Sequence, residues 1–273
     1  MDDMLRQRRF WVIIVIGLIL GPLIAWLTGP GLSSLSFLSG QDQTWRTVES
    51  RGVWRVGMDP SFPPFQSLDD EGRPVGYDVD LARAMAATWG IEAEIVAIGF
   101  DSLLDALQTG KIDSVISALP YDPRETKDFR FSEPYFEAGV RLAVPVGSTI
   151  TSVEELADRN LAVEWGSSGD MLGRQLQREG IAVTLAPYAA PDEVIAALAT
   201  SSAEADARVD AALVDNITLR EAQGEGAAIV AIGPPLESSP YVIAAPYRAP
   251  EMAARINAAL AELNESGRLA ELE

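Results

Sequence analysis

The chain contains no histidine and no cysteine. Without histidine, a Ser-His-Asp triad, an imidazole general base and a histidine-ligated zinc site are all excluded. Without cysteine there are no disulfides, thiol nucleophiles or thiolate metal sites, and no lipid anchor on a cysteine. Basic residues are also in short supply: 21 Lys and Arg stand against 40 Asp and Glu, a net charge of −19. That balance argues against nucleic acid and an anionic membrane surface as partners, and fits a solvated acidic exterior. No metal or cofactor motif is evident, and none is expected. At 273 residues and 48% apolar content, the chain can bury one large core or two smaller ones.

What is present begins at the N-terminus. Arg6, Arg8 and Arg9 precede "FWVIIVIGLILGPLIAWL", an uncharged run from Phe10 to Leu27. The run is apolar on every face, longer than a usual signal-peptide core and about long enough to span a bilayer. The basic residues before it place the N-terminus in the cytoplasm and the rest of the chain outside. Residues 1–27 therefore read as a cytoplasmic stub and signal anchor; a cleaved signal would instead leave the remainder secreted or periplasmic. Residues 28–45, rich in Gly and Ser, read as a tether.

From about Val48 short apolar strands alternate with helical segments, an α/β signature. "VWRVGM" predicts a strand, and "GYDVDLARAMAATWG" a helix with Asp78 as cap, Gly90 as stop and Tyr77, Leu81 and Met85 as buried stripe. "DSLLDALQTG" predicts a short helix between a capping Asp101 and a terminating Gly110. The layout then recurs: "VESRGVWRVGMDPS" is echoed by "VEELADRNLAVEWGSS", and "DSLLDALQTGKIDSVIS" by 192–215. Two copies of one α/β layout predict two lobes of similar build. Open α/β sheets bind ligands beyond the carboxyl ends of their strands. There this chain places "MDPSFPPFQS", whose prolines forbid a helix and stiffen a loop carrying Asp59, Phe62 and Phe65.

The order and spacing of "WRVGMDPSFPPF", "GYDVDLARAMA", "FDSLLDALQTGKIDSVIS", "PRETKDFRFSEPYF", "LAVEWGSSGD", "RVDAALVD" and "INAALAELNESGRLAEL" resemble the bacterial extracellular solute-binding proteins of the polar-amino-acid type, family 3. The resemblance implies an α/β, two-lobed periplasmic-binding-protein-like type II fold with two interlobe crossings, near Ala138–Ala143 and Pro235–Val242. Lobe one would combine 46–140 with 241–273, and lobe two would be 144–236. It implies that Phe62 and Phe100 sandwich the ligand's side chain while Phe65 packs in the core. Asp215 would hold an α-ammonium, cap the following helix, or do both. Arg124 would clamp an α-carboxylate, with Ser117, Ala118 and Leu119 on the lobe-one loop and Ser167 and Ser168 supplying hydroxyl and amide donors. The loop departs from the family pattern in carrying Ala118 and Pro120 where hydroxyls are common, and Arg124 arrives one residue early.

Asp59 and Glu164 would face the polar end of the ligand, with no Lys or Arg nearby in these motifs. Two such carboxylates favour a cationic or amide-bearing amino acid, or a related amine. Trp165 would be either a pocket wall or an interlobe contact. The implied function is the extracytoplasmic substrate-binding protein of an ABC importer, a monomer closing on its ligand by hinge motion and presenting it to a membrane permease. Two readings on the same fold stand beside it. One is an enzyme similar to cyclohexadienyl dehydratases, with Glu164 or Asp59 as acid. The other is a ligand-sensing ectodomain whose signal a partner would carry.

Overall fold

The computed structural model describes residues 42–200 and 209–272. The run Phe10–Leu27 and most of the tether expected over 28–45 lie outside them. Among the described residues no helix is long and apolar enough to cross a membrane. The helix Gln43–Arg51 begins within the stretch expected as tether, and its Trp45 is buried.

Two five-stranded sheets organise the fold. In the first, the order is Glu92–Ala97, Val53–Met58, Ser114–Val115, Ala244–Pro246, Phe129–Phe131. The first three run parallel, and Ala244–Pro246 pairs antiparallel on both sides. "VWRVGM" forms the predicted strand because Trp54, Val56 and Met58 bury almost completely. Each such side chain is worth roughly 1.5–3 kcal/mol of apolar burial. Trp89 meets Trp45 and Trp54 edge-on at 5.2 and 4.8 Å, and Trp54 Nε1 donates to Ser114 Oγ at 3.1 Å. The helix Tyr77–Thr88 covers this sheet with the predicted Tyr77, Leu81 and Met85 stripe. The helix Pro250–Glu265 returns the end of the chain to the same core through Met252, Ile256 and Leu260.

The second sheet repeats the plan in the order Thr184–Tyr188, Asn160–Glu164, Ala211–Asp215, Val140–Pro145, Ile229–Ile232. Again three strands are parallel and an antiparallel strand follows. The two lobes are thus of similar build, each with its parallel strands' carboxyl ends free for loops.

Between the lobes, Phe136–Glu137 pairs antiparallel with Pro240–Tyr241. This crossing sits earlier than the Ala138–Ala143 expected, because Val140–Pro145 is laddered on both sides into the second sheet and buries Leu142, Ala143 and Val144. Glu137 binds the crossing together: its carboxylate accepts the Gly139 N–H at 2.9 Å, the Ser239 N–H at 2.5 Å and the Ser238 hydroxyl at 2.7 Å. A Cβ at Gly139 would stand 1.8 Å from the Glu237 carbonyl oxygen, so only glycine fits.

Two expected caps are not caps. The helix at Tyr77 is opened by Gly76, whose φ of 121° favours glycine. The N–H groups of Tyr77 and Asp78 donate to the carbonyls of Pro64 and Phe65 at 3.1 and 3.0 Å. The proline loop itself caps the helix, which releases the Asp78 side chain to turn inward. Asp101 likewise makes no cap; it lies within a short 3-10 turn, Phe100–Ser102, entered at Gly99. Gly90 and Gly110 end their helices at positive φ, as predicted.

Candidate functional site

Two cavities sit where the strands of the two sheets end. The first, of about 310 Å³, is lined by Asp59, Ser61, Phe62, Phe100, Ser117, Ala118, Pro120 and Tyr241. Its walls are three loops, following Met58, Ala97 and Val115. Asp59 joins them: its N–H donates to Ser117 Oγ at 3.0 Å, and its Oδ2 accepts the Phe100 N–H at 2.8 Å. Phe62 is held by reciprocal backbone bonds with Gln66, both 2.9 Å. Its ring stacks on Phe65 at 5.9 Å and 13°. Phe65 is buried, as expected, with Tyr77, Phe136 and Tyr241 edge-on around it. Phe62 and Phe100 are each 45% exposed, rings kept in water by a stiff frame.

The Ser117–Tyr121 loop is pinned to the crossing strand by Tyr121 N–H to Pro240 O (3.0 Å) and Val242 N–H to Leu119 O (2.9 Å). Leu119 itself is buried in the lobe-one core rather than lining the cavity. Tyr241 is pushed above the ordinary tyrosine pKa by burial first, then by the charges of Asp215 and Asp78.

The second cavity, of about 160 Å³, includes Val140, Glu164, Ser167, Ser168, Gly169, Pro191 and Asp215 in its lining. Ser167 caps the helix Ser168–Arg178, accepting the Asp170 N–H at 3.2 Å and donating to Glu164 O at 2.8 Å. This places the free amides and positive end of that helix beside the cavity. A Cβ at Gly169 would lie 2.5 Å from the Leu213 carbonyl oxygen, so the helix can seat this close on the strand only with glycine there. Asp215 both lines the cavity and caps the helix Asn216–Gly224, accepting the Thr218 N–H at 2.9 Å and its hydroxyl at 2.7 Å. The influence of Asp215 on Tyr241 links this cavity electrostatically to the first.

Asp59, Phe62, Phe100, Ser117 and Ala118 are brought together in the first cavity, and Glu164, Ser167, Ser168 and Asp215 in the second. Asp59 and Glu164, expected to face one region, line different cavities. Arg124 lines neither: its side chain is 87% exposed, and Asp122 holds it through Nε and through Nη2 at 2.6 Å. Trp165 is 70% exposed and absent from both linings, with the Arg174 guanidinium 5.9 Å from its ring centre. Sequence reasoning missed Tyr241, Ser61 and Pro191. Tyr241 is delivered by the crossing strand from far along the chain, and no local signal marks it.

The family described as bacterial extracellular solute-binding proteins, family 3, matches residues 54–273. A curated relative, the lysine/arginine/ornithine-binding periplasmic protein of Escherichia coli (strain K12), is 29% identical over 222 residues, 78% of this chain and 83% of that protein. Other curated relatives are matched over shorter spans, the chain covering 49% of one and 62% of another. Among solved structures, an ancestral cationic amino acid solute binding protein is 28% identical with a TM-score of 0.59, covering 84% of this chain and 97% of that one. An ancestral cyclohexadienyl dehydratase reaches a TM-score of 0.71 at 22% identity, covering 85% and 95%, a likeness of fold alone.

Proposed function

The chain belongs to the bacterial extracellular solute-binding proteins, family 3, and we propose that it captures a cationic amino acid or related amine between its lobes. The observation that carries this reading is the first cavity: two half-exposed rings with a carboxylate between their loops, and no lysine or arginine in its lining. Phe62 and Phe100 stack on the ligand's side chain, and Asp59 meets its cationic end. Asp215 takes the α-ammonium. The α-carboxylate accepts from the Ser117 hydroxyl and from the amides at the start of the helix Ser168–Arg178. For Arg124 to join as a clamp, it must exchange Asp122 for the ligand.

Each cavity alone offers half of these contacts, so the ligand favours the state in which the lobes close on it, turning about the Glu137 crossing. Lobe one, on this reading, is 46–135 with 242–273, and lobe two is 138–239, with the crossing pair between them. The relatives that bind lysine, arginine or ornithine and cationic amino acids support the choice of ligand. The closed form serves the permease of an ABC importer, and the protein acts as a monomer without catalysis. Residues 10–27 anchor it on the outer side of the cell membrane.

A thermal-shift screen of the full chain tests this. L-Arginine, L-lysine and L-ornithine raise the melting temperature by mass action, and L-glutamate and L-aspartate do not. A rise with the acidic pair alone overturns the choice of ligand. No rise with any amino acid or polyamine overturns the binding role itself.

A further inference from the structure

Asp78 is an aspartate buried at the heart of lobe one that the ligand contacts above leave unused. Its Oδ2 accepts two hydrogen bonds, from Gln66 Nε2 and from the Ala118 backbone N–H at 2.6 Å. Those two donors belong to different walls of the first cavity. Gln66 is the residue whose backbone holds Phe62 on both sides. Ala118 lies beside Ser117 with a φ of 43°, a left-handed conformation that an alanine keeps only under constraint.

We infer that Asp78 is a positioning residue for the solute site: one carboxylate oxygen clasps the Phe62 loop to the Ser117–Ala118 loop and sets the spacing of the two walls. This rests on the reading of that cavity as half of the solute site. The clasp is internal, so it acts without touching the ligand.

The surroundings of Asp78 are neutral. Beside the Gln66 and Ala118 donors, Tyr135 and Tyr241 lie close enough to feel its charge, and among the described residues no lysine or arginine forms an ion pair with it. Burial pushes its pKa up to about 7, against the opposing pull of the Ala118 N–H, the nearby Tyr135 hydroxyl and the Gln66 amide. The Tyr135 hydroxyl is a close neighbour rather than an aligned partner, since neither it nor Asp78 Oδ1 has a partner in hydrogen-bonding geometry. Oδ1 is therefore the oxygen that takes the proton, and Oδ2 continues to accept, though more weakly without the charge. Ionised Asp78 gives the tighter clasp and also attracts a cationic ligand, so both effects favour binding at higher pH.

Two readouts test the clasp in the full chain. In wild type, the Ala118 amide proton, followed by NMR from about pH 5.5 to about pH 8.5, lies far downfield and titrates near neutrality; in Asp78→Asn the titration is gone. L-Arginine binding, measured by calorimetry at about pH 8, weakens about tenfold or more in Asp78→Ala, and Asp78→Asn, which keeps an acceptor but not the charge, falls between Asp78→Ala and wild type. Wild-type affinity falls severalfold from about pH 8 to about pH 6, and that of Asp78→Asn stays flat. An Ala118 amide that exchanges freely and does not titrate overturns the inference, as does a folded Asp78→Ala that binds arginine like wild type. Should Asp78→Ala not fold, Asp78→Asn and the wild-type amide still decide. Should wild type bind no arginine, the proposed ligand fails, and the amide titration separately settles whether the clasp exists.

Discussion

Asp59 Oδ2 accepts the backbone N–H of Phe100 at 2.8 Å, so the carboxylate proposed to meet the ligand's cation also fixes the loop of one of the two rings. The two roles separate by substitution. Asp59→Asn keeps an oxygen for the Phe100 N–H and loses the charge. It is predicted to melt close to wild type and to bind L-arginine about 10- to 100-fold more weakly, the size of a hydrogen bond to a charged group. Asp59→Ala loses both and binds more weakly still. Calorimetry with a melting curve on each variant checks this; unchanged affinity in Asp59→Asn would reduce Asp59 to a loop anchor.

Phe62 and Phe65 lie three residues apart and are predicted to fail differently. Phe65 is 2% exposed among four other rings, and Phe65→Ala should cost about 3–5 kcal/mol of stability. Phe62→Ala leaves a half-exposed site and should cost about 1 kcal/mol, yet weaken arginine binding about tenfold through the lost ring face. Chemical denaturation gives the first quantity and titration the second. Equal stability losses would contradict the division into frame and contact.

Asp215 divides similarly. Asparagine caps a helix about as well as aspartate. Asp215→Asn should therefore stay within about 0.5 kcal/mol of wild-type stability while losing roughly tenfold or more in affinity for an α-amino acid. Asp215→Ala should in addition lose about 1 kcal/mol of stability with the cap. An Asp215→Asn variant of wild-type affinity would assign the carboxylate to capping alone.

Stability should carry the signature of Asp78. Its pKa is raised in the folded state, so the folded protein binds the proton more tightly than the unfolded chain, and stability falls as pH rises from about 4 to about 7. At about 1.4 kcal/mol per pH unit the full effect is on the order of 4 kcal/mol, complete above the folded pKa. Asp78→Asn removes this slope, so its stability advantage over wild type should grow across that window and then level off. Denaturation series at several pH values measure the difference. A constant difference between the two proteins would show that Asp78 does not titrate there.

The parts of the site legible in the sequence are those written locally. The prolines around Phe62 exclude a helix, the strand before them ends at Met58, and the alternation of strands and helices fixes which loops share an edge. The cap at Asp215 was also legible, because an aspartate directly before a helix can accept a free N–H of its first turn. The same rule failed at Asp78: the helix is capped by carbonyls of the proline loop, and the freed carboxylate found its partner 40 residues on, at Ala118. Arg124 looked available as a clamp, yet Asp122, two residues away, engages it in a local pair. Tyr241 enters the cavity through the pairing of Pro240–Tyr241 with Phe136–Glu137, a contact across about a hundred residues that no local pattern encodes.

The central claim is that the cleft takes a cation between two rings and a carboxylate. Titration calorimetry of the full chain with L-arginine and L-glutamate, at matched pH and low ionic strength, tests it most directly. The account predicts saturable binding of arginine at least tenfold tighter than glutamate, with the preference shrinking in Asp59→Asn. Glutamate binding more tightly than arginine to the wild-type protein would contradict it.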